Sequence, residues 1–470
     1  MYILKSGYDN ILFLVYGYHY LKTKEFNFHD KKIIISARKT LGKIIADSGM
    51  DIACFKPSKY NIYKRTHNDE WLVYNTLYNT MVRLNDKEYG KLLGKDLKVT
   101  KDLVTNLVKN GLWIPKKLNE KSVYLSMAGT YNKLNMATSH IGFNLTTTLR
   151  CNAKCPYCYE KGVRKINFPK NKVTALLNFM ESRVESRKDR QVVLNWFGGE
   201  PLINKPFISA VTEGLKSRNI DYSSYIITNG SLINESLIRN EFNDWNVKNV
   251  QITIDGLKET YERVKRYAPS QKFTFESLLD VIKLFSGTGI EVHIRLNVCR
   301  ENRQEMLQLA DLLQLKFSDD RNITYYPAFL TGIGDDLLPE EKQVFVKELL
   351  LSIKNPHKMN MLGRITQVPL TRPCMVNDPN SYTVDVNGDV YPCEHRVGRK
   401  EHSIGSLDYF DEQVNKRRAK LNIPDYCKKC EFLPKCCGGC CANDETSDER
   451  CMIIRYLISA YLDIIAEGEN

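Results

Sequence analysis

The chain has 470 residues, of which 43% are hydrophobic, 10% aromatic and 26% charged, with a formal net charge of +13. That length can bury several cores, and the composition is that of a globular protein rather than a disordered or collagen-like one. No apolar run approaches the roughly 20 residues that span a bilayer. The basic charge shows no stripe with interleaved aromatics, so nucleic acid gains no specific support.

Residues 1–55 mix apolar and basic segments and yield no assignment. The apolar run Ile11–Tyr16 is preceded by Asp9, followed by His19 and Lys22, and lacks a small-residue cleavage site. It makes a poor signal peptide, and the cytosol is the expected compartment. Residues 56–121 predict short strands at Tyr60–Tyr63 and Leu72–Tyr74, then helical segments at Thr76–Leu84 and Asp86–Leu93. A helix at Lys101–Lys109 ends near Gly111, and a strand follows at Leu112–Ile114. This outline is winged-helix-like.

Between 135 and 335 short β-rich runs alternate with helix-period segments. The strands fall at His140–Thr148, Gln191–Phe197, Tyr222–Thr228, Asn249–Asp255, Glu291–Val298 and Asn322–Phe329. Helices fall at Lys172–Val184, Phe207–Lys216, Glu235–Asn243, Phe275–Phe285 and Glu305–Leu315. Consecutive βα units predict an α/β fold with a parallel sheet, here a partial (β/α)6 TIM barrel. A helical linker follows at 336–369, then a cysteine-rich region at 370–460.

Twelve of the fourteen cysteines fall at 151–158, 374–393 and 427–451. In a large chain without an export signal, such grouping favours metal over disulfides. Cys54 and Cys299 stand apart and read as ordinary thiols. Cys151, Cys155 and Cys158 are spaced C-x3-C-x2-C, one ligand short of the four that close a tetrahedral zinc site or saturate a cubane cluster. A four-iron cluster held by three thiolates keeps one iron open. The loop follows the first strand, at the C-terminal rim where such sheets place active sites.

After the second strand comes Phe197-Gly198-Gly199-Glu200-Pro201, whose glycines allow close backbone approach. The fourth strand ends Gln251-Ile252-Thr253-Ile254-Asp255-Gly256, and Asn297 ends the fifth. Further on, Cys374 precedes Gly388 by thirteen intervening residues, and Cys393 follows after four more. Then come Cys427-x2-Cys430-x5-Cys436-x3-Cys440 and, last, Cys451. Val384–Val390 reads as a hairpin whose Asn387-Gly388 pair favours a type I′ turn.

The three-cysteine loop, with Tyr157 before its last cysteine, resembles the signature of the radical S-adenosylmethionine (SAM) enzymes. Phe197–Pro201 resembles that family's GGEP motif, and Gln251–Gly256 its strand ending in Asp-Gly. The resemblance implies a [4Fe-4S] cluster on Cys151, Cys155 and Cys158 whose open iron binds S-adenosyl-L-methionine. Electron transfer then cleaves the cofactor to a 5′-deoxyadenosyl radical. It further implies Tyr157 against the adenine, Gly198, Gly199 and Glu200 around the methionine ammonium, Thr253 at the carboxylate and Asn297 towards the ribose.

The later cysteines are similar to the seven-cysteine SPASM extension of the peptide-modifying branch, which carries two auxiliary iron–sulfur clusters. Carried over, Cys374, Cys393 and Cys440 hold the nearer cluster and Cys427, Cys430, Cys436 and Cys451 the distal one. An eighth cysteine found in some members is missing between Met375 and Tyr391. The nearer cluster thus has an open iron or an unconventional ligand, with Cys437, Cys441 and His395 as unranked candidates. Glu394 stands where sulfatase-maturing relatives have an aspartate base, and is a candidate catalytic base.

These resemblances imply a peptide maturase that abstracts a hydrogen atom from a ribosomally made precursor and forms a crosslink, either a Cys thioether or a carbon–carbon bond. Segment 56–121 would recognise the precursor's leader by adding it to a sheet edge. A flavodoxin- or ferredoxin-type protein would supply electrons. The alternatives are a sulfatase-type maturase making formylglycine from Cys or Ser, a nucleic-acid-modifying radical enzyme, and a non-catalytic electron carrier.

Overall fold

A computed structural model describes residues 2–5, 54–95, 100–125, 128, 140–158, 160, 162, 164–185, 187, 190–332, 336–353, 358–359, 374–419, 423–441, 451 and 453–468. The Ile11–Tyr16 run and residues 360–369 of the linker lie outside the described residues. None of the fourteen cysteines is in a disulfide. Two units divide the chain. Unit 1 joins Met1–Asn135, Gly363–Cys374 and Leu421–Asn470, whereas unit 2 joins Met136–Leu362 and Met375–Lys420. The 370–460 segment is therefore shared between them.

In unit 1, β1 (Tyr2–Lys5), β3 (Asn61–Arg65), β4 (Trp71–Asn75) and β5 (Thr80–Leu84) form an antiparallel sheet in the order β1-β5-β4-β3. A separate pair joins β2 (Phe55–Pro57) to β6 (Trp113–Pro115). Helix α1 (Asp86–Leu92) starts from a capping box between Asn85 and Glu88, and α2 (Lys101–Lys109) from a Thr100 cap. One face of the sheet buries Val73, Val82 and Leu84 against Leu92, Val104, Leu107 and Trp113.

The expected helix at Thr76–Leu84 is instead a turn and a strand. Asn75 Oδ1 accepts hydrogen bonds from the Leu77 and Tyr78 amides, and Asn79 adopts φ +54°. That turn sends β5 back along β4, where Val73 pairs with Val82. Tertiary pairing has overridden a weak helical period.

In unit 2 six parallel strands lie in sequence order: β7 (Ile141–Thr148), β8 (Gln191–Gly198), β9 (Asp221–Thr228), β10 (Val247–Ile254), β11 (Glu291–Val298) and β12 (Ile323–Phe329). Each lies within two residues of its expected start. Helices α3 (Val173–Val184), α4 (Lys205–Ser217), α5 (Glu235–Arg239), α6 (Glu241–Asp244), α7 (Lys258–Lys265), α8 (Phe275–Lys283) and α9 (Arg303–Lys316) fill the crossovers. Of these α7 had no sequence-based expectation, because its polar, lysine-rich surface gives little apolar period.

After α10 (Pro339–Ser352), strand β13 (Ser381–Val384) joins the free edge of β7 in parallel. The hairpin β13–β14 (Asp389–Tyr391) and then β15 (Gly405–Ser406) extend the same sheet to nine strands. The expected hairpin forms, but its turn is not type I′. Only Gly388 lies at positive φ, at +81°. The Asp385 carboxylate accepts from the Asn387 and Asp389 amides instead, making a longer loop. Helix α11 (Glu412–Arg417) closes unit 2.

The chain then returns to unit 1 with α12 (Asp425–Lys429), α13 (Leu433–Cys436) and α14 (Ile453–Glu467). Lys64 on β3 pairs with Asp463 at 2.6 Å, and Arg83 on β5 donates to the Ile465 carbonyl. These bonds tie the last helix to the first sheet.

Candidate active site

The C-terminal rim of β7 leads directly into the cysteine loop. Two glycines at the end of β8 determine how closely the neighbouring strand approaches it. A Cβ on Gly199 would lie 2.3 Å from the Arg150 carbonyl oxygen, and one on Gly198 2.3 Å from that of Thr148. Without side chains, the Gly199 and Glu200 amides donate to those two carbonyls, both at 2.9 Å. The start of the loop is thus bound to β8 by backbone alone.

Within the loop, Cys151 accepts from the Ala153 amide at 3.4 Å. Burial pushes the Cys151 thiol up to about 11, and the charges of Glu200, Cys155 and Cys158 push the same way. Cys155 is also raised by burial, against a counter-pull from Lys265. Cys155 and Cys158 lie close enough to Cys151 to oppose its ionisation, and three such thiols are a donor set that a cationic iron cluster would compensate. Among the described residues no three His, Cys, Asp or Glu side chains already stand as a metal-binding group.

The end of β9 holds the loop from another side. Asn229 Nδ2 donates to Asn152 Oδ1 at 2.8 Å and lies 3.9 Å from Cys151 Sγ, while Asn152 Nδ2 donates to Ser231 at 2.8 Å. Glu200 is fully buried and points at the same turn. It accepts from Thr228 Oγ1 at 2.9 Å and from the Asn229 and Leu202 amides at 2.8 and 3.1 Å. Burial raises its carboxyl to about 7 in spite of those bonds.

Across the loop lies a buried ionic network. Lys265 Nζ meets Asp255 Oδ2 at 2.9 Å, with side chains 3% and 2% exposed. Tyr157 donates to Asp255 Oδ1 at 2.5 Å, and Asn297 Nδ2 donates to Tyr157 and Asp255, each at 3.0 Å. Burial alone would lower the Lys265 ammonium, but Asp255, Tyr157 and Cys155 outweigh it and hold it well above its ordinary value. The Lys265 carbonyl also accepts the Lys154 amide at 2.8 Å.

Tyr157, Asp255 and Asn297, 140 residues apart in sequence, are therefore joined directly. Thr253, the other expected cofactor contact on β10, pairs in register with Arg295 and is half-buried. Lys265, Asn229 and Ser231 had no sequence-based assignment. For Asn229 and Ser231 the signal was position, just after the third strand ends at Thr228, and Lys265 had none.

Below this rim the inward face of the sheet is polar. Tyr225 and Tyr326 both donate to Gln251 Oε1, at 3.0 and 2.6 Å. Asn195 donates to Asn144 at 3.1 Å, and Asn144 Nδ2 donates to Glu394 Oε2 at 3.2 Å. Glu394 thus lies beside the first barrel strand.

In unit 1 the distal cysteines also gather. Burial raises Cys436 to about 12, helped by the charges of Cys437, Cys430 and Cys427. Cys430 is raised mainly by burial, and Cys451 adds to the shift. Arg455 on α14 donates to Cys451 Sγ at 3.4 Å. Cys374 and Cys440 belong to unit 1, and Cys393 to unit 2.

A six-stranded parallel α/β sheet with three thiols on the loop after its first strand, and a glycine pair closing on that loop, defines the radical SAM class. Residues 145–313 match the Radical SAM superfamily. Residues 145–313 thus form a radical SAM domain, whose superfamily uses SAM and a [4Fe-4S] cluster, and a cysteine-rich C-terminal region follows it. The chain is 26% identical over 333 residues to the cysteine-type anaerobic sulfatase-maturating enzyme of Clostridium novyi, covering 63% of this chain and 86% of that one. The serine-type enzyme of Bacteroides thetaiotaomicron is 24% identical over 346 residues, covering 62% and 80%.

Among solved structures, native anSMEcpe with bound AdoMet and Cp18Cys peptide superposes with a TM-score of 0.51 at 17% identity, covering 69% of this chain and 96% of that one. No described helix is long and apolar enough to cross a membrane.

Proposed function

We propose that this radical SAM maturase acts on a ribosomally made precursor peptide and forms an intramolecular crosslink, a thioether from Cys sulfur to carbon or a carbon–carbon bond. The observation that carries the reading is unit 1. About a third of the chain lies outside its match to the sulfatase-maturating relatives, and the N-terminal part of unit 1 is a sheet-and-helix fold of the size that captures an extended leader.

Cys151, Cys155 and Cys158 would hold the radical cluster. Cys374, Cys393 and Cys440 would hold the nearer auxiliary cluster, and Cys427, Cys430, Cys436 and Cys451 the distal one. Gly198, Gly199, Glu200, Thr253, Tyr157 and Asn297 would surround SAM. When bound, SAM and its cluster supply a hydrogen-atom abstractor. The chain's own part is to fix the loop through Gly199 and Asn229, exclude water with the Lys265–Asp255 network, and present the Glu394 carboxylate on the polar inner face. A flavodoxin- or ferredoxin-type donor would deliver electrons.

The second reading, formylglycine formation on Cys or Ser, draws on the two sulfatase-maturating relatives. Anaerobic incubation with candidate precursor peptides, followed by mass spectrometry, separates the two. Crosslinking removes two hydrogens and leaves no aldehyde, whereas formylglycine reacts with an aldehyde probe. Glu394→Gln should lower product formation by roughly 10²-fold if Glu394 is the base. Full turnover by that variant would remove it from the mechanism.

A further inference from the structure

The segment that carries the distal cysteines is built into the recognition fold. Cys427, Ile423 and Leu433 form one core with Tyr60, Leu77, Tyr78, Ile114, Leu118, Val123 and Tyr124. Thr76 Oγ1 donates to the Glu431 carbonyl, and Lys59 Nζ donates to the Lys428 carbonyl at 3.0 Å. Lys435, 1% exposed, reaches Asn79 at 3.0 Å in the turn that creates β5. Tyr124 donates its hydroxyl to Cys437 Sγ at 3.3 Å. Finally α14, entered directly after Cys451, bonds to β3 and β5.

Helices α12 and α13 have only five and four residues. Helices so short do not persist on their own and need an external brace. Cys427 lies on α12, Cys430 at its C-terminal end, Cys436 on α13 and Cys451 just before α14. Metal bound to such a set adds its binding energy to the folding of everything the ligand segments touch.

We propose that Cys427, Cys430, Cys436 and Cys451 form the clasp of the peptide-recognition fold, so that loading of the distal cluster and ordering of the β3–β5 sheet rise and fall together. The inference rests on the cluster assignment above and adds to it. The distal site becomes a switch on substrate recognition as well as an electron site, and oxidative loss of its iron would release the precursor before any change in the barrel.

The test is hydrogen exchange on the full chain, reconstituted anaerobically, with iron counted in each sample. With Cys430→Ala and Cys436→Ala together, the chain should lose about four iron atoms. Amides of Asn61–Arg65 and Trp71–Asn75 should then exchange about tenfold faster or more, with β8–β11 unchanged. A chain with Cys151, Cys155 and Cys158 all changed to Ala should lose iron yet keep unit 1 protected. Should the double variant fail to fold, the iron-free native chain replaces it, and adding iron and sulfide should restore protection. Iron lost with unit 1 protection unchanged overturns the clasp. An iron count that does not fall overturns the ligand assignment first, and the clasp with it.

Discussion

At the residue scale the site depends on a few side chains whose partners are far away in sequence. Lys265 and Asp255 are both buried, and removing one leaves an uncompensated charge in the interior. Lys265→Met should therefore destabilise unit 2 by about 3–5 kcal/mol, read by urea unfolding of the barrel. The double variant with Asp255→Asn should recover most of that, because no lone charge remains. A double variant destabilised by the sum of the two single variants would show that the pair is not coupled. Gly199 acts through an absent atom. The Cβ of Gly199→Ala would meet the Arg150 carbonyl at 2.3 Å and push the loop away from β8. Iron bound after reconstitution should fall well below that of the native chain, with strand exchange little changed.

At the scale of elements, the alternation between period-2 and period-3.6 patterns was enough to place all six barrel strands, since each is a short β-rich run bounded by turns. It failed at Thr76–Leu84, where an Asn-built turn and pairing to β4 decide the conformation. It also missed α7, which carries both Lys265 and the carbonyl that holds Lys154. The β13–β14 hairpin shows how an Asn-Gly pair can be right about place and wrong about geometry. Asp385 supplies bonds that a two-residue turn would not need, and Gly388 alone takes the left-handed conformation. Gly388→Ala should cost about 1–2 kcal/mol, seen as faster exchange at Val384 and Val390. Protection equal to the native hairpin would contradict the strain argument.

At the scale of the whole molecule, the first and last parts of the chain belong to one unit and the middle to another. A chain ended after Lys420 should keep the β7–β12 sheet protected but lose protection at Asn61–Arg65 and Trp71–Asn75, because the core shared with Ile423, Cys427 and Leu433 is exposed to water. Persistence of that protection would mean the N-terminal fold stands without the C-terminal segment.

The sequence by itself determined the chemistry. Three thiols on one loop and a glycine pair one βα unit later are local patterns, and their spacing leaves the loop one ligand short of a closed metal site. It likewise determined the order of strands, because periodicity is a property of neighbouring residues. Which distant groups meet was decided only by the tertiary structure. The Lys265–Asp255 pair, the Asn229 hold on the loop and the seating of the last cysteines on the first sheet arise from packing between segments up to several hundred residues apart. Those partners are chosen by the burial of shared surface, and no pattern within one segment records the surface that another will cover.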